Sequence, residues 1–147
     1  MQLITINKEN RYFLEFVNLT YHWGKRFDTY EIFKKKYQDS IDDKLPKIRA
    51  LIINDTVIGF YEINEKDGID DEEYTPYLAN VYVKEEYRKR GYSTILINDS
   101  IKYAKQLGYE DLYLHSKQKN YYEKYGFEFI GIIKTKHGEK RLFKHKK

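Results

Sequence analysis

Between Leu78 and Leu107 the sequence changes periodicity once, and that change restricts the fold more than any other feature. The run Leu78–Val83 suits a buried strand; after a turn, Leu96, Ile97, Ile101, Ala104 and Leu107 recur along one side at helical spacing. Gly108 stands where a helix C-cap belongs. The rest of the chain interleaves the same two patterns. Gln2–Ile6 alternates as a strand does, and Arg11–Trp23 places Phe13, Phe16, Val17 and Thr20 on a helical face that Gly24 would end. Asp28 and Thr29 form an N-cap region for a helix carrying Ile32, Phe33, Tyr37 and Ile41. Ile48–Ile53 and Val57–Ile63 read as a hairpin turned at Asn54-Asp55-Thr56, and Leu112–His115 as a further strand. Tyr121–Tyr125 reads as a short helix, and Phe127–Thr135 with Lys140–Lys144 as a closing hairpin turned at His137-Gly138. Such interleaving predicts an α/β or α+β class with a mixed sheet.

The 147 residues are read as one domain spanning 1–147. Hydrophobic residues make up 41% of the chain, with 16 Tyr and 8 Phe, which excludes global disorder. Cysteine is absent, so there is no disulfide framework, thiolate zinc site or Cys nucleophile. His22, His115, His137 and His145 lack metal-ligand spacing, so no metal is expected. The longest apolar runs, such as Ala50–Ile53, fall far short of the roughly 20 residues of a membrane span. Met1–Thr5 has no basic or apolar leader pattern, and the expected location is cytoplasmic. A net charge of +4 permits a nucleic-acid partner without demanding one. Lys34-Lys35-Lys36 and the tail Lys144–Lys147 read as solvated faces.

The turn after the strand carries the chemistry. Val81–Val83 is followed by Arg88-Lys89-Arg90-Gly91-Tyr92-Ser93-Thr94, with the helix starting near Tyr92. At a helix N-terminus several backbone N–H groups lack intrahelical acceptors and the macrodipole is positive, so a pyrophosphate can be cradled there. Gly91 and the small Ser93 would let backbone approach phosphate, and Arg88, Lys89 and Arg90 would add counter-charge. Neither the Walker spacing nor Gly-x-Gly-x-x-Gly is present, and taken alone the turn reads equally as a solvated basic loop.

A second segment, Asn120-Tyr121-Tyr122-Glu123-Lys124-Tyr125-Gly126-Phe127, sets a tyrosine pair before Gly-Phe and a strand. In this order and separation the two segments resemble the GNAT superfamily of N-acetyltransferases, in its small single-domain bacterial form. The first matches its Arg/Gln-x-x-Gly-x-Gly/Ala turn, departing from it at Ser93, and the second its aromatic-Tyr-x-x-x-Gly-Phe element. The resemblance implies a splayed mixed sheet of about seven strands flanked by about four helices. It implies an acetyl-CoA site, without metal, formed by Val81, Tyr82, Val83, Arg88, Lys89, Arg90, Gly91, Tyr92, Ser93, Thr94 and Asn120. The pantetheine arm would lie beside the fourth strand like an added strand. Tyr122 occupies the family's general-acid position and would protonate the departing thiolate, while Tyr121 and Tyr125 are expected to be structural.

The expected function is direct acetyl transfer to a primary amine of a small molecule or peptide; the alternative is a non-catalytic acyl-CoA-binding sensor. No base is assigned. Glu62, Glu73 and His115 are candidates, each expected to be a solvated surface group, and a water relay would serve as well. His22 and Trp23 could line the acceptor pocket, and the acidic run Asp67–Glu73 could draw a cationic amine toward it. Neither the acceptor nor the acyl length is fixed, and a homodimer is the default assembly.

Overall fold

The computed structural model describes residues 1–23, 29–41, 44–66, 74–135 and 137–146. In chain order the elements are β1 (Gln2–Ile6), α1 (Phe13–Trp23), α2 (Tyr30–Ser40), β2 (Lys47–Ile53), β3 (Thr56–Asn64), β4 (Tyr77–Val83), α3 (Tyr92–Gln106), β5 (Asp111–Ser116), β6 (Phe127–Thr135) and β7 (Gly138–Lys146). The seven strands form one sheet in the order β1-β2-β3-β4-β5-β7-β6. Every neighbouring pair is antiparallel except β4 and β5.

Side chains alternate across a strand, so each face of the sheet needs its own cover. In β2, Ile48 and Ala50 turn toward α1 and α2, where they meet Phe13, Phe16, Val17 and Phe33; Leu51 turns the other way, toward Leu96, Ile97 and Ala104 of α3. Phe16 and Val17 are fully buried, and each such side chain contributes about 1.5–3 kcal/mol. Thr29 caps α2, its hydroxyl oxygen accepting from the Ile32 N–H at 3.3 Å. Asp28 and Gly24 lie outside the described residues. At the β2–β3 turn Asn54 and Asp55 have φ of +51° and +59°, the pair of left-handed residues that a two-residue hairpin turn requires.

Among the described residues there are three α-helices rather than four. The segment read as a short helix is a 3-10 turn over Tyr122–Tyr125, because left-handed residues at Asn120 (φ +58°) and Gly126 (φ +96°) bracket it and leave no room for a full α turn to propagate. Gly126 is doubly constrained, since a Cβ there would sit 2.8 Å from His145 Nε2.

Three features place the site. The parallel pair β4/β5 meets at Tyr77 and Tyr113, where the Tyr113 N–H donates to the Pro76 carbonyl at 2.9 Å; no further register pair follows among the described residues, and the strands splay apart. Opposite β3, β4 carries one extra residue between Ala79 and Tyr82, a bulge at which Asn80 adopts φ of +54°. A half-buried polar network then locks α3 to the sheet. Arg49 on β2 grips Asp99 on α3 with two donors at 3.1 and 3.2 Å, Tyr61 on β3 donates to the same carboxylate at 2.6 Å, and Arg49 also donates to Thr5 at 3.1 Å.

Candidate active site

The splay between β4 and β5 opens into a groove of about 450 Å³. Val81, Tyr82 and Val83 form its β4 wall, while Arg88, Lys89, Gly91, Tyr92 and Ser93 close the end at the head of α3. Eight of the residues expected to bind a nucleotide cofactor therefore line one cavity. Arg90, Thr94 and Asn120 do not line it. Arg90 is exposed, with its guanidinium 5.7 Å from the Tyr87 ring centroid, and the Thr94 hydroxyl lies 2.9 Å from that of Tyr125. The Asn120 N–H donates to Glu123 at 3.2 Å.

Backbone geometry determines what the groove offers. The Lys84 N–H donates to Ile58 on β3 at 2.8 Å. Donors of successive strand residues alternate in direction, so the N–H and C=O of Val83 point away from β3, into the gap. Arg88 Nε donates to that carbonyl at 2.8 Å, fixing the guanidinium at the junction of wall and turn. At the head of α3 the first helical bond runs from the Ile95 N–H to the Gly91 carbonyl at 3.3 Å. Gly91 supplies no side-chain cap, and the first turn holds no acidic residue. The amides of Tyr92, Ser93 and Thr94 thus keep the open donors of a helix start. Gly91 has φ of +84°, and a Cβ built on it meets no protein atom within 4 Å. Gly91 itself lines the groove, and a glycine in this conformation lets backbone approach a diphosphate without a Cβ between them.

Trp23, Tyr87, Gln118 and Tyr121 complete the lining. The Trp23 ring lies tilted against that of Tyr82, centroids 4.9 Å apart, on the side of the α1–α2 region where an acceptor wall is expected. It also lines an adjoining cavity of about 360 Å³ that includes His22, Glu15 and Tyr82. Tyr121, expected to be structural, is groove lining as well; Tyr87 had only its aromatic character as a signal, and nothing in the sequence marks Gln118.

Tyr122 is not among the groove-lining residues. It is half-buried beside Phe127 and Phe143, with ring centroids at 6.2 and 6.0 Å, and Tyr121 packs edge-on against it at 4.8 Å. Burial first, then the neighbouring phenols of Tyr121 and Tyr125, raise its pKa above the usual tyrosine value.

Of the base candidates, Glu62 is not a solvated group: it is 3% exposed. It lies in β3, the strand covered on both faces, so an outward-looking position in the alternation falls under α2 instead. Its carboxylate accepts from the Tyr37 hydroxyl at 3.0 and 3.1 Å and from Asn80 Nδ2 at 2.7 Å. His115 is half-buried, 6.0 Å from the Tyr77 ring. Glu73 and the acidic run 67–73 lie outside the described residues. Among the described residues no three His, Asp or Glu side chains are grouped as metal ligands, and no helix is long and apolar enough to cross a membrane.

Solved structures share this architecture. An acetyltransferase from Elizabethkingia anophelis with acetyl-CoA bound is 17% identical, with 99% of this chain and 97% of that one covered at a TM-score of 0.68. A ribosomal-protein-alanine N-acetyltransferase from Brucella melitensis is 12% identical over all of both chains at 0.77. An aminoglycoside 6'-N-acetyltransferase complexed with coenzyme A is 15% identical over 99% and 97% at 0.71. No curated protein sequence matches the chain. The sequence model of the Acetyltransferase (GNAT) family matches residues 10–127, which takes in the splayed strands, the glycine turn and the Tyr-x-x-x-Gly-Phe element. The chain belongs to the GNAT acetyltransferase family.

Proposed function

We propose that this protein is an acetyl-CoA-dependent N-acetyltransferase that passes acetyl directly to a primary amine. One observation carries the reading: the β4/β5 gap and the uncapped head of α3 are two ends of a single groove. Open amides, Gly91 and the basic rim suit a diphosphate at one end, and the gap-facing N–H and C=O groups of β4 suit an amide-bearing arm that pairs like a strand. Two N-acetyltransferases of the same fold, one acting on an aminoglycoside and one on a ribosomal protein's alanine, make an amine the expected acceptor.

Acetyl-CoA supplies the activated acetyl group as a thioester. The N–H of Val83, aimed into the gap, hydrogen-bonds the thioester carbonyl oxygen, where negative charge develops during attack. The acceptor ammonium first loses a proton to a base or to water. Its nitrogen then bonds to the acetyl carbon as the carbon–sulfur bond breaks, Tyr122 gives its phenolic proton to the departing sulfur, and the new amide nitrogen sheds its surplus proton to the phenolate, directly or through water. The Tyr122 phenol, its pKa raised by burial, carries its proton at neutral pH.

Tyr122 lies off the groove wall, which favours one second reading, a module that binds acyl-CoA without chemistry. Two measurements separate the readings. Acetyl-CoA at about 100 times its Kd should stabilise the fold by about 2.7 kcal/mol, raising Tm by several degrees. Amine-dependent release of thiol then identifies an enzyme, and a thermal shift without thiol release identifies a sensor.

A further inference from the structure

The pairing of β3 with β4 changes register at the bulge, and the change decides which groups of β4 face the groove. Leu78 and Ala79 stand opposite Ile63 and Glu62, whereas Tyr82 and Val83 stand opposite Phe60 and Gly59. Were the first register continued, Val83 would stand opposite Ile58 and give its N–H to that residue's carbonyl. The extra residue passes that bond to Lys84, whose N–H donates to Ile58 at 2.8 Å, and Val83 is left facing the gap. β3 is fitted to the shifted strand, since a Cβ on Gly59 would lie 2.7 Å from the Tyr82 carbonyl oxygen.

A side-chain bond holds the bulge. Asn80 has φ of +54°, a conformation that asparagine adopts more readily than most residues. Its Nδ2 donates to Glu62 Oε2 at 2.7 Å. Glu62 is 3% exposed, and the Tyr37 hydroxyl on α2 reaches both of its oxygens, at 3.0 and 3.1 Å. Burying a carboxylate is expensive, and a hydrogen bond to one is among the strong ones, so this anchor is costly and firm. Glu62 is not among the groove-lining residues; what it touches is the residue that sets the register of the groove wall.

We infer that Glu62 and Asn80 are positioning residues for the cofactor: the anchored amide holds β4 in its shifted register, and that register presents the Val83 N–H to the thioester arm. The inference rests on the acetyl-CoA site proposed above.

The test inverts the bond. Asn80→Asp keeps the size and the tolerance for a left-handed backbone but sets carboxylate against carboxylate; adding Glu62→Gln restores an amide–carboxylate bond in the opposite sense. Each protein is titrated calorimetrically with acetyl-CoA, and amide hydrogen exchange is followed by NMR at Lys84 and, as a control in α3, at Ser100. Asn80→Asp should raise the Kd for acetyl-CoA about tenfold or more, and should speed exchange at Lys84 by a similar factor while Ser100 is unchanged. The double variant should return both readings close to those of the parent. If Asn80→Asp does not fold, Asn80→Gly, which accepts the left-handed backbone and lacks the amide, should show the same two changes. An unaltered Kd, or a raised Kd without selective loss of protection at Lys84, overturns the positioning role. A double variant as weak as the single one overturns Glu62 as the anchor. A parent that binds no acetyl-CoA overturns the site and this inference with it.

Discussion

The guanidinium of Arg88 donates from Nε to the carbonyl oxygen of Val83 at 2.8 Å, joining the last residue of β4 to the turn that leads into α3. Arg88 also lines the groove, at the end where a phosphate would sit. Charge-assisted contacts of this type are the strong ones, so Arg88→Met should raise the Kd for acetyl-CoA about tenfold or more while leaving the fold intact. Isothermal titration of both proteins checks it; equal affinities would remove Arg88 from the site.

Tyr122 and Tyr121 make a matched pair for assigning the acid. Tyr122→Phe should lower kcat by about 10²- to 10⁴-fold with acetyl-CoA affinity preserved, whereas Tyr121→Phe, which keeps the ring that lines the groove, should leave kcat close to that of the parent. Because burial raises the Tyr122 pKa, no loss of activity attributable to this phenol should occur as pH approaches the ordinary tyrosine value of 10.0. An alkaline limb well below that value, abolished by Tyr122→Phe, would contradict the assignment.

The Arg49–Asp99 pair is 20% and 16% exposed and shares its carboxylate with Tyr61. Asp99→Ala leaves a poorly solvated guanidinium and a phenol without their acceptor, and should cost about 3 kcal/mol, the lower end for breaking a buried pair. Urea unfolding measures it as a lower midpoint with an unchanged m-value.

His145 packs against Gly126 and Phe127, and its pKa is lowered, by burial first and by the charge of Lys105 second. A histidine whose folded pKa is depressed binds fewer protons folded than unfolded. Its contribution is complete above the unfolded value of about 6.5 and declines as pH falls below it, toward the folded pKa. Stability should therefore decrease on acidification through that window. His145→Gln should flatten that part of the Tm-versus-pH curve; an unchanged curve would place the acid sensitivity elsewhere.

The elements that sequence made legible are those with a one-sided pattern or a punctuating residue. Leu96, Ile97 and Ala104 mark the buried side of α3, and Asn54-Asp55 marks the β2–β3 turn. Glu62 was misread as solvated because alternation predicts exposure only when one face of a strand is open, and β3 is covered on both. The bulge at Asn80 leaves no trace in composition; it shows only in the register with β3, which depends on the partner strand. Arg49, Asp99 and Tyr61 come from three separate elements, so no spacing along the chain links them. The groove was legible where one continuous segment builds it, at Val81–Val83, Arg88, Lys89 and Gly91–Ser93, and not at Gln118, whose place depends on how distant pieces meet.

A crystal structure of the protein with acetyl-CoA tests the central claim most directly. The account predicts the diphosphate on the amides of Tyr92, Ser93 and Thr94, with the pantetheine arm between β4 and β5 alongside Val81–Val83. Coenzyme bound elsewhere, or a β4/β5 gap that stays closed to it at saturating concentration, would contradict it.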